Sequence, residues 1–134
     1  MSKTVTVLVV DDEKRFADNL VKILVENEIT AEAVYCGEDA IARLEKAEYD
    51  VVLLDYKMPG MAGKETLRVI ASRSFPSEVI ILTGHASAND AVDILEMGAM
   101  DYLLKPCKTS DLLEKITFAV EAKELKGKEI KPLV

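Results

Sequence analysis

The chain has 134 residues, of which 49% are apolar; that length and composition describe one packed domain with little room for a second. Lys+Arg (17) against Asp+Glu (24) leaves a net charge of −7, which argues against direct contact with nucleic acid or an anionic membrane. No apolar run approaches the ~18 residues of a membrane span, and Met1-Ser2-Lys3-Thr4 lacks the layout of a signal peptide, so a cytoplasmic protein is expected.

In chain order, the first apolar run is residues 5–10 (VTVLVV). Phe16, Leu20, Ile23 and Leu24 follow at helical spacing. Residues 29–35 (ITAEAVY) form a second, more polar run that suits an edge strand. A second helix follows Cys36-Gly37, with Ala40, Ile41 and Leu44 on one face. Residues 51–54 (VVLL) are the third run, and Leu67, Ile70 and Ala71 mark the third helix. Residues 79–82 (VIIL) are the fourth run, with Ala91, Val92 and Leu95 marking the helix after it. Gly98 stands where a C′ glycine stops that helix. Residues 102–104 (YLL) are the fifth run. The last helix carries Leu112, Leu113, Ile116, Ala119 and Val120, with Thr109 or Ser110 as its cap and Asp111 in its first turn.

Runs such as VVLL and VIIL are nearly continuous in Val, Ile and Leu, as in strands buried on both faces. Strand and helix alternate five times, and their lengths match, at ~16–17 Å each. Right-handed crossovers then make an α/β, doubly wound, five-stranded parallel sheet with five helices. The domain is expected over residues 1–125. Residues 126–134 (KGKEIKPLV) lack helical period and are expected to form a C-terminal tail.

Polar residues at the ends of the apolar runs carry the chemistry. Asp11-Asp12-Glu13 ends the first, Asp55 the third, Thr83 the fourth and Lys105 the fifth. All lie at carboxyl ends of strands, where open α/β sheets bind ligands. If the first and third strands are neighbours, Asp11, Asp12 and Asp55 converge across a ~4.8 Å gap. Three such carboxylates repel one another unless a hard divalent cation joins them. Carboxylates, a main-chain carbonyl and waters make a Mg²⁺ type of shell. Lys105 adds a positive charge and Thr83 a hydroxyl, and together these describe a phosphoryl-transfer site with a carboxylate nucleophile.

The chain resembles the receiver domain of two-component response regulators. The carrying residues are 7–13 (VLVVDDE), 53–63 (LLDYKMPGMAG), 79–87 (VIILTGHAS) and 99–106 (AMDYLLKP). The match covers about residues 4–125. It implies a flavodoxin-like sheet of order 2-1-3-4-5. It implies that Asp55 is the phosphoacceptor and that Asp11, Asp12, Asp55 and the main-chain carbonyl of Lys57 hold Mg²⁺. Thr83 is then the switch hydroxyl, Lys105 the partner of a phosphoryl oxygen before a cis bond to Pro106, and Tyr102 the aromatic switch residue. Gly84 leaves room for the phosphodonor. Ala62 departs from the family's frequent Asp and removes a cap of about 1 kcal/mol from the third helix. His85 is expected on an exposed loop, and Met58 and Met61 in loop packing.

The resemblance implies a regulatory phosphoacceptor, not a separate enzyme. Its expected partners are a sensor histidine kinase or histidine phosphotransfer protein and a downstream protein target, reached through the face of the fourth helix, fifth strand and fifth helix. A phosphorylation-dependent homodimer is a further expectation. Two other classes fit the residues less well. A Mg²⁺-dependent phosphatase with an Asp nucleophile resembles Asp-x-Asp-x-Thr after the first strand, which is not the pattern here. A flavin carrier needs a phosphate loop where Asp11-Asp12-Glu13 would repel phosphate. The chain also reads as the N-terminal receiver of a larger DNA-binding regulator or hybrid kinase. In the order 2-1-3-4-5, Cys36 and Cys107 fall at opposite sheet edges, ~19 Å apart, too far for a disulfide.

Overall fold

The computed structural model describes residues 4–58, 63–84 and 88–127. Five strands, β1 (Thr6–Val10), β2 (Thr30–Val34), β3 (Val51–Leu54), β4 (Glu78–Thr83) and β5 (Asp101–Leu104), alternate with five helices. These are α1 (Lys14–Glu26), α2 (Gly37–Lys46), α3 (Gly63–Ser72), α4 (Ala88–Glu96) and α5 (Thr109–Gly127). The sheet order is β2-β1-β3-β4-β5, and every neighbouring pair is parallel. The more polar second run is an edge strand, as its composition implied.

Alternation along each strand divides the core in two. Leu8, Val10, Val52, Leu54, Val79 and Ile81 pack with Ala40 and Leu44 of α2, Leu67 and Ile70 of α3, and Ile94 of α4. Val7, Val9, Val51, Leu53, Ile80 and Leu82 pack with Ala17, Leu20 and Leu24 of α1 and with Leu112, Ile116 and Ala119 of α5. Tyr56 and Met58 are buried in the first of these cores, as expected from strand alternation and loop packing. Cys36 and Cys107 are free thiols beyond β2 and β5, at opposite edges. Burial pushes the Cys107 thiol up from its ordinary pKa.

Several local expectations need correction. On α4 the buried residue is Ile94, whereas Val92 and Leu95 are 55% and 47% exposed. A nine-residue helix touching the sheet along one line buries one row, and Val92 and Leu95 lie off it. Ala71 of α3 is exposed, and Thr66 is buried in its place. Neither Thr109 nor Ser110 caps α5, because its first helical bond runs from the Leu112 N–H to the Lys108 carbonyl (3.1 Å). Gly98 does close α4, at φ +107°. The last helix passes the expected boundary at Leu125 and runs to Gly127. Lys126 is drawn into it by a 2.5 Å ion pair with the buried Glu78. Residues 128–134, Met61, Ala62 and His85 lie outside the described residues, and so do the expectations placed on them.

That ion pair belongs to a polar staple at the amino ends of the strands. Asp50 accepts hydrogen bonds from the Thr6 N–H (2.9 Å) and the Thr6 hydroxyl (3.2 Å). Lys123 of α5 lies 2.9 Å from both Asp50 Oδ1 and Glu48 Oε1. Burial alone would raise the Asp50 carboxyl, but the Thr6 N–H, the Lys123 ammonium and the Thr6 hydroxyl outweigh it. Its pKa is therefore held below the ordinary value. A depressed carboxyl adds stability that is present above its unfolded pKa and lost as pH falls through the folded value. Asp50→Ala is expected to cost about 1–3 kcal/mol at neutral pH, since it strands the Thr6 N–H and leaves the Lys123 ammonium with Glu48 alone of its two carboxylates. In urea melts across pH, the gap between the two proteins is expected to close below about pH 4, near the unfolded Asp pKa.

Candidate functional site

Register brings the acids together. Val10 is the partner of Leu54 in the β1–β3 ladder, so the next residue on each strand is Asp11 and Asp55. The Asp55 N–H continues the pairing to the Val10 carbonyl (2.9 Å), and the Asp11 N–H bonds the Val34 carbonyl (3.2 Å). Asp11 is 2% exposed and Asp55 7%, whereas Asp12 is open to solvent. A carboxylate oxygen from each of the three lies within 4.8 Å of the others. This oxygen-only donor set suits a hard divalent cation.

The buried pair is oriented by its own turns. Asp11 Oδ1 accepts the Glu13 N–H (2.9 Å), in a turn that leads into α1 with Glu13 as its N-cap residue. Asp55 Oδ1 accepts the Lys57 N–H at 3.4 Å. Gly63, which opens α3, lies against the main chain of Asp55 and Tyr56. A Cβ there would overlap the Asp55 carbonyl oxygen, so only glycine lets α3 approach the acid this closely.

Lys105 crosses from the far edge. Its N–H is pinned to the Thr83 carbonyl (2.8 Å), which continues the β4–β5 ladder, and its peptide bond to Pro106 is cis. Its ammonium reaches Asp11 Oδ2 at 2.5 Å, Glu13 Oε1 at 3.5 Å and Asp55 Oδ2 at 3.8 Å. The Phe16 ring centroid lies 4.2 Å from the same nitrogen. Burial pulls the Lys105 pKa down, but the Asp11 hydrogen bond and charge, with Asp55 and Glu13, outweigh it and raise it. For Asp55 the balance differs. Burial raises its carboxyl, and the Asp11 charge raises it further. Lys105, the Lys57 N–H and a hydrogen bond from the buried Thr83 side chain offset this only in part.

Around the cluster, a Cβ at Gly84 would meet open space, so the approach over Thr83 is clear. Tyr102 pairs with Ile81 in the sheet and is half-buried against the core shared by α2, α3 and α4. Asp11, Asp12, Asp55, Thr83 and Lys105 are thus placed at the carboxyl end of the sheet, and Tyr102 lies within β5, which pairs with β4.

Residues 7–117 match the family model for the response regulator receiver domain. The chain belongs to the response regulator receiver family. A transcriptional regulatory protein, CutR, of Streptomyces coelicolor is 37% identical over 110 residues, which span 82% of this chain and 51% of CutR. The sensory transduction protein RegX3 of Mycobacterium tuberculosis is 38% identical over 111 residues, or 83% of this chain and 48% of its own length. The chain therefore spans about half the length of these curated relatives. Among solved structures, a CheY-like receiver domain protein of Methanospirillum hungatei has a TM-score of 0.87 at 30% identity, covering 92% of this chain and 99% of that one. A receiver domain protein of Clostridium thermocellum has a TM-score of 0.84 at 31% identity, covering 90% of this chain and 98% of that one. These likenesses bear out the flavodoxin-like receiver fold and the receiver reading of the acid cluster.

Two contributors to the receiver's acid cluster were not visible in the sequence. Phe16 reads as an ordinary apolar position of α1, and nothing in its spacing says that its ring meets Lys105 from a strand 89 positions away. Gly63 reads as loop punctuation, and its need for a bare Cα appears only once α3 is packed on Asp55.

A carboxyl whose folded pKa is raised opposes folding above that pKa and ceases to do so as pH falls through it. Asp55→Asn is therefore expected to stabilise the metal-free protein at pH 7 by about 1 kcal/mol, a like-charge contact less the attraction of Lys105. That gain is expected to shrink as pH is lowered toward the protonation of Asp55. Thermal melts of both proteins in chelator from pH 7 to pH 4 check it, and a variant less stable at pH 7 would refute it.

Proposed function

We propose that Asp55 is the phosphoacceptor of this receiver. The observation that carries the reading is the convergence of Asp11, Asp12 and Asp55 within 4.8 Å, with Lys105 reaching into the same cluster. A carboxylate oxygen of Asp55 attacks phosphorus of a phosphohistidine on a sensor histidine kinase or histidine phosphotransfer protein. The P–O bond forms, the P–N bond breaks, and the imidazole leaves as the neutral ring after taking a proton. Burial and the Asp11 charge raise the Asp55 carboxyl above its ordinary value, which makes its carboxylate the more basic nucleophile. The Lys105 ammonium pairs with one phosphoryl oxygen and the Thr83 hydroxyl donates to another.

Asp11, Asp12, Asp55 and the main-chain carbonyl of Lys57 would hold Mg²⁺, and the oxygen-only donor set and its charge fit that ion. When bound, Mg²⁺ supplies charge neutralisation for the phosphoryl oxygens and for the three carboxylates. The protein catalyses only its own phosphorylation and dephosphorylation, in the cytoplasm; no described helix is long and apolar enough to cross a membrane.

Output follows from the same residues. Movement of Thr83 toward the phosphoryl group vacates space that the Tyr102 ring can enter, so the ring has two packings. The face it alters is that of α4, β5 and α5, where Val92, Leu95 and Leu104 are exposed. Such a patch suits a downstream protein target or a second copy formed on phosphorylation. The relatives' names and double length favour a receiver that governs the output module of a transcriptional regulator.

Incubation with acetyl phosphate and Mg²⁺ is expected to add one phosphoryl group by intact mass. Asp55→Asn or a chelator is expected to abolish it; the same mass step in the Asn variant would move the acceptor elsewhere. Thr83→Ala is expected to keep labelling at Asp55 but lose the amide-exchange change over residues 88–104. A response confined to α1 and α2 would place the output face wrongly.

A further inference from the structure

The carboxylates are not the only partners of Lys105. The Phe16 ring centroid lies 4.2 Å from its ammonium, which is well inside the ~6 Å range of a cation–π contact. The Lys105 side chain is 13% exposed, so the contact is largely desolvated, where such contacts are strongest. Phe16 is the third residue of α1, half-buried and packed against the core around Ala17 and Leu20. Its ring is thus placed by the same turn that follows the acid run. A leucine would fill that hydrophobic space equally well, but only an aromatic ring presents a negative face to the ammonium.

The contact matters because Asp11 has two claimants. In this structure Asp11 Oδ2 is the nearest partner of Lys105, while Asp55 Oδ2 stands at 3.8 Å. A hard divalent cation at the acid cluster takes carboxylate oxygens and repels the ammonium beside them. It does not bind a benzene ring. Glu13 Oε1, 3.5 Å from the ammonium, is outside the acid cluster but largely exposed, so the Phe16 face is the desolvated contact of Lys105 that such a cation does not claim. We propose that Phe16 is a positioning residue for phosphoryl transfer, whose ring face keeps the Lys105 ammonium at the site once Asp11 is committed to the metal ion. The inference rests on the function proposed above.

Mono-, di- and pentafluorophenylalanine at position 16 keep the ring's shape while progressively removing its negative face. With acetyl phosphate and saturating Mg²⁺, the rate of Asp55 labelling is expected to fall stepwise along the series, about three- to tenfold in all. Phe16→Leu is expected to fall with the pentafluoro protein. In the Mg²⁺-loaded protein before any phosphodonor is added, the Lys105 ε-methylene proton signals are expected to carry an upfield ring-current shift that Phe16→Leu abolishes. Melting temperatures along the fluorinated series are expected to stay together. Normal labelling of the unmodified protein with a flat rate along the series, or Lys105 signals unmoved in Phe16→Leu, overturns the role of Phe16 and leaves the phosphoacceptor standing. Absence of labelling at Asp55 in the unmodified protein overturns the function itself and this inference with it.

Discussion

Two buried like charges at the end of a hydrophobic sheet are the constraint on which the rest of this structure depends. The β1–β3 register places Asp11 beside Asp55, and neither can leave without breaking a ladder between fully buried strands. Their repulsion has to be met locally. Burial and this repulsion both raise the Asp55 carboxyl, and one Lys105 ammonium, delivered from the far edge by the β4–β5 pairing, offsets them only in part. The remaining imbalance is what makes the cluster receptive to a second cation, so the strain of the metal-free site and its proposed affinity for Mg²⁺ have one cause.

The opposite end of the sheet shows what a satisfied carboxylate looks like in the same fold. Asp50 is as buried as Asp55, yet it receives two bonds from Thr6 and an ammonium from Lys123, and its pKa falls below the ordinary value. Burial pushes both acids upward. The difference lies in the neighbours: both acids have donors and a cation, but Asp55 also faces the buried Asp11 carboxylate. The amino ends of the strands are thus tied to α5, while the carboxyl ends are left poised. Stability and chemistry occupy opposite edges of one sheet.

This division explains what could be read in the sequence. Continuous runs such as VVLL can only be strands covered on both faces, and the acids, Thr83 and Lys105 stand out because each interrupts or ends such a run. The sheet, its four crossovers and the acid cluster follow from those signals, with the strand order supplied by the family resemblance. What stayed hidden depends on distances between elements. The buried residue of α4 is Ile94 and not Val92 or Leu95, because three large apolar residues in nine leave the facing side ambiguous. Lys126 joined the helix because of Glu78, a partner 48 residues away that helical periodicity does not report. Phe16 is the clearest case, since an aromatic at a core position and an aromatic over a buried ammonium leave the same mark in a sequence.

The weak seat of α4 bears on how a small change at Asp55 could be read at a distance. On α1 three residues, Ala17, Leu20 and Leu24, are buried, but among the residues of α4 whose burial is described only Ile94 is. One buried isoleucine anchors a helix by about 1.5–3 kcal/mol, close to the strength of a single charge-assisted hydrogen bond of ~3 kcal/mol. A new bond from Thr83 to a phosphoryl oxygen is therefore of the size needed to shift the α4 segment beyond β4, whereas it could not displace α1 or the strands. Tyr102, half-buried on β5, lies in the element paired with β4 and packs against the core that Ile94 completes. The exposed Val92, Leu95 and Leu104 lie on this same weakly held side. A surface that is apolar enough to bind and loosely enough seated to move is what a phosphorylation-controlled contact requires. In this fold the α4–β5 side has both properties, and the α1 side, with its deeper anchoring, does not.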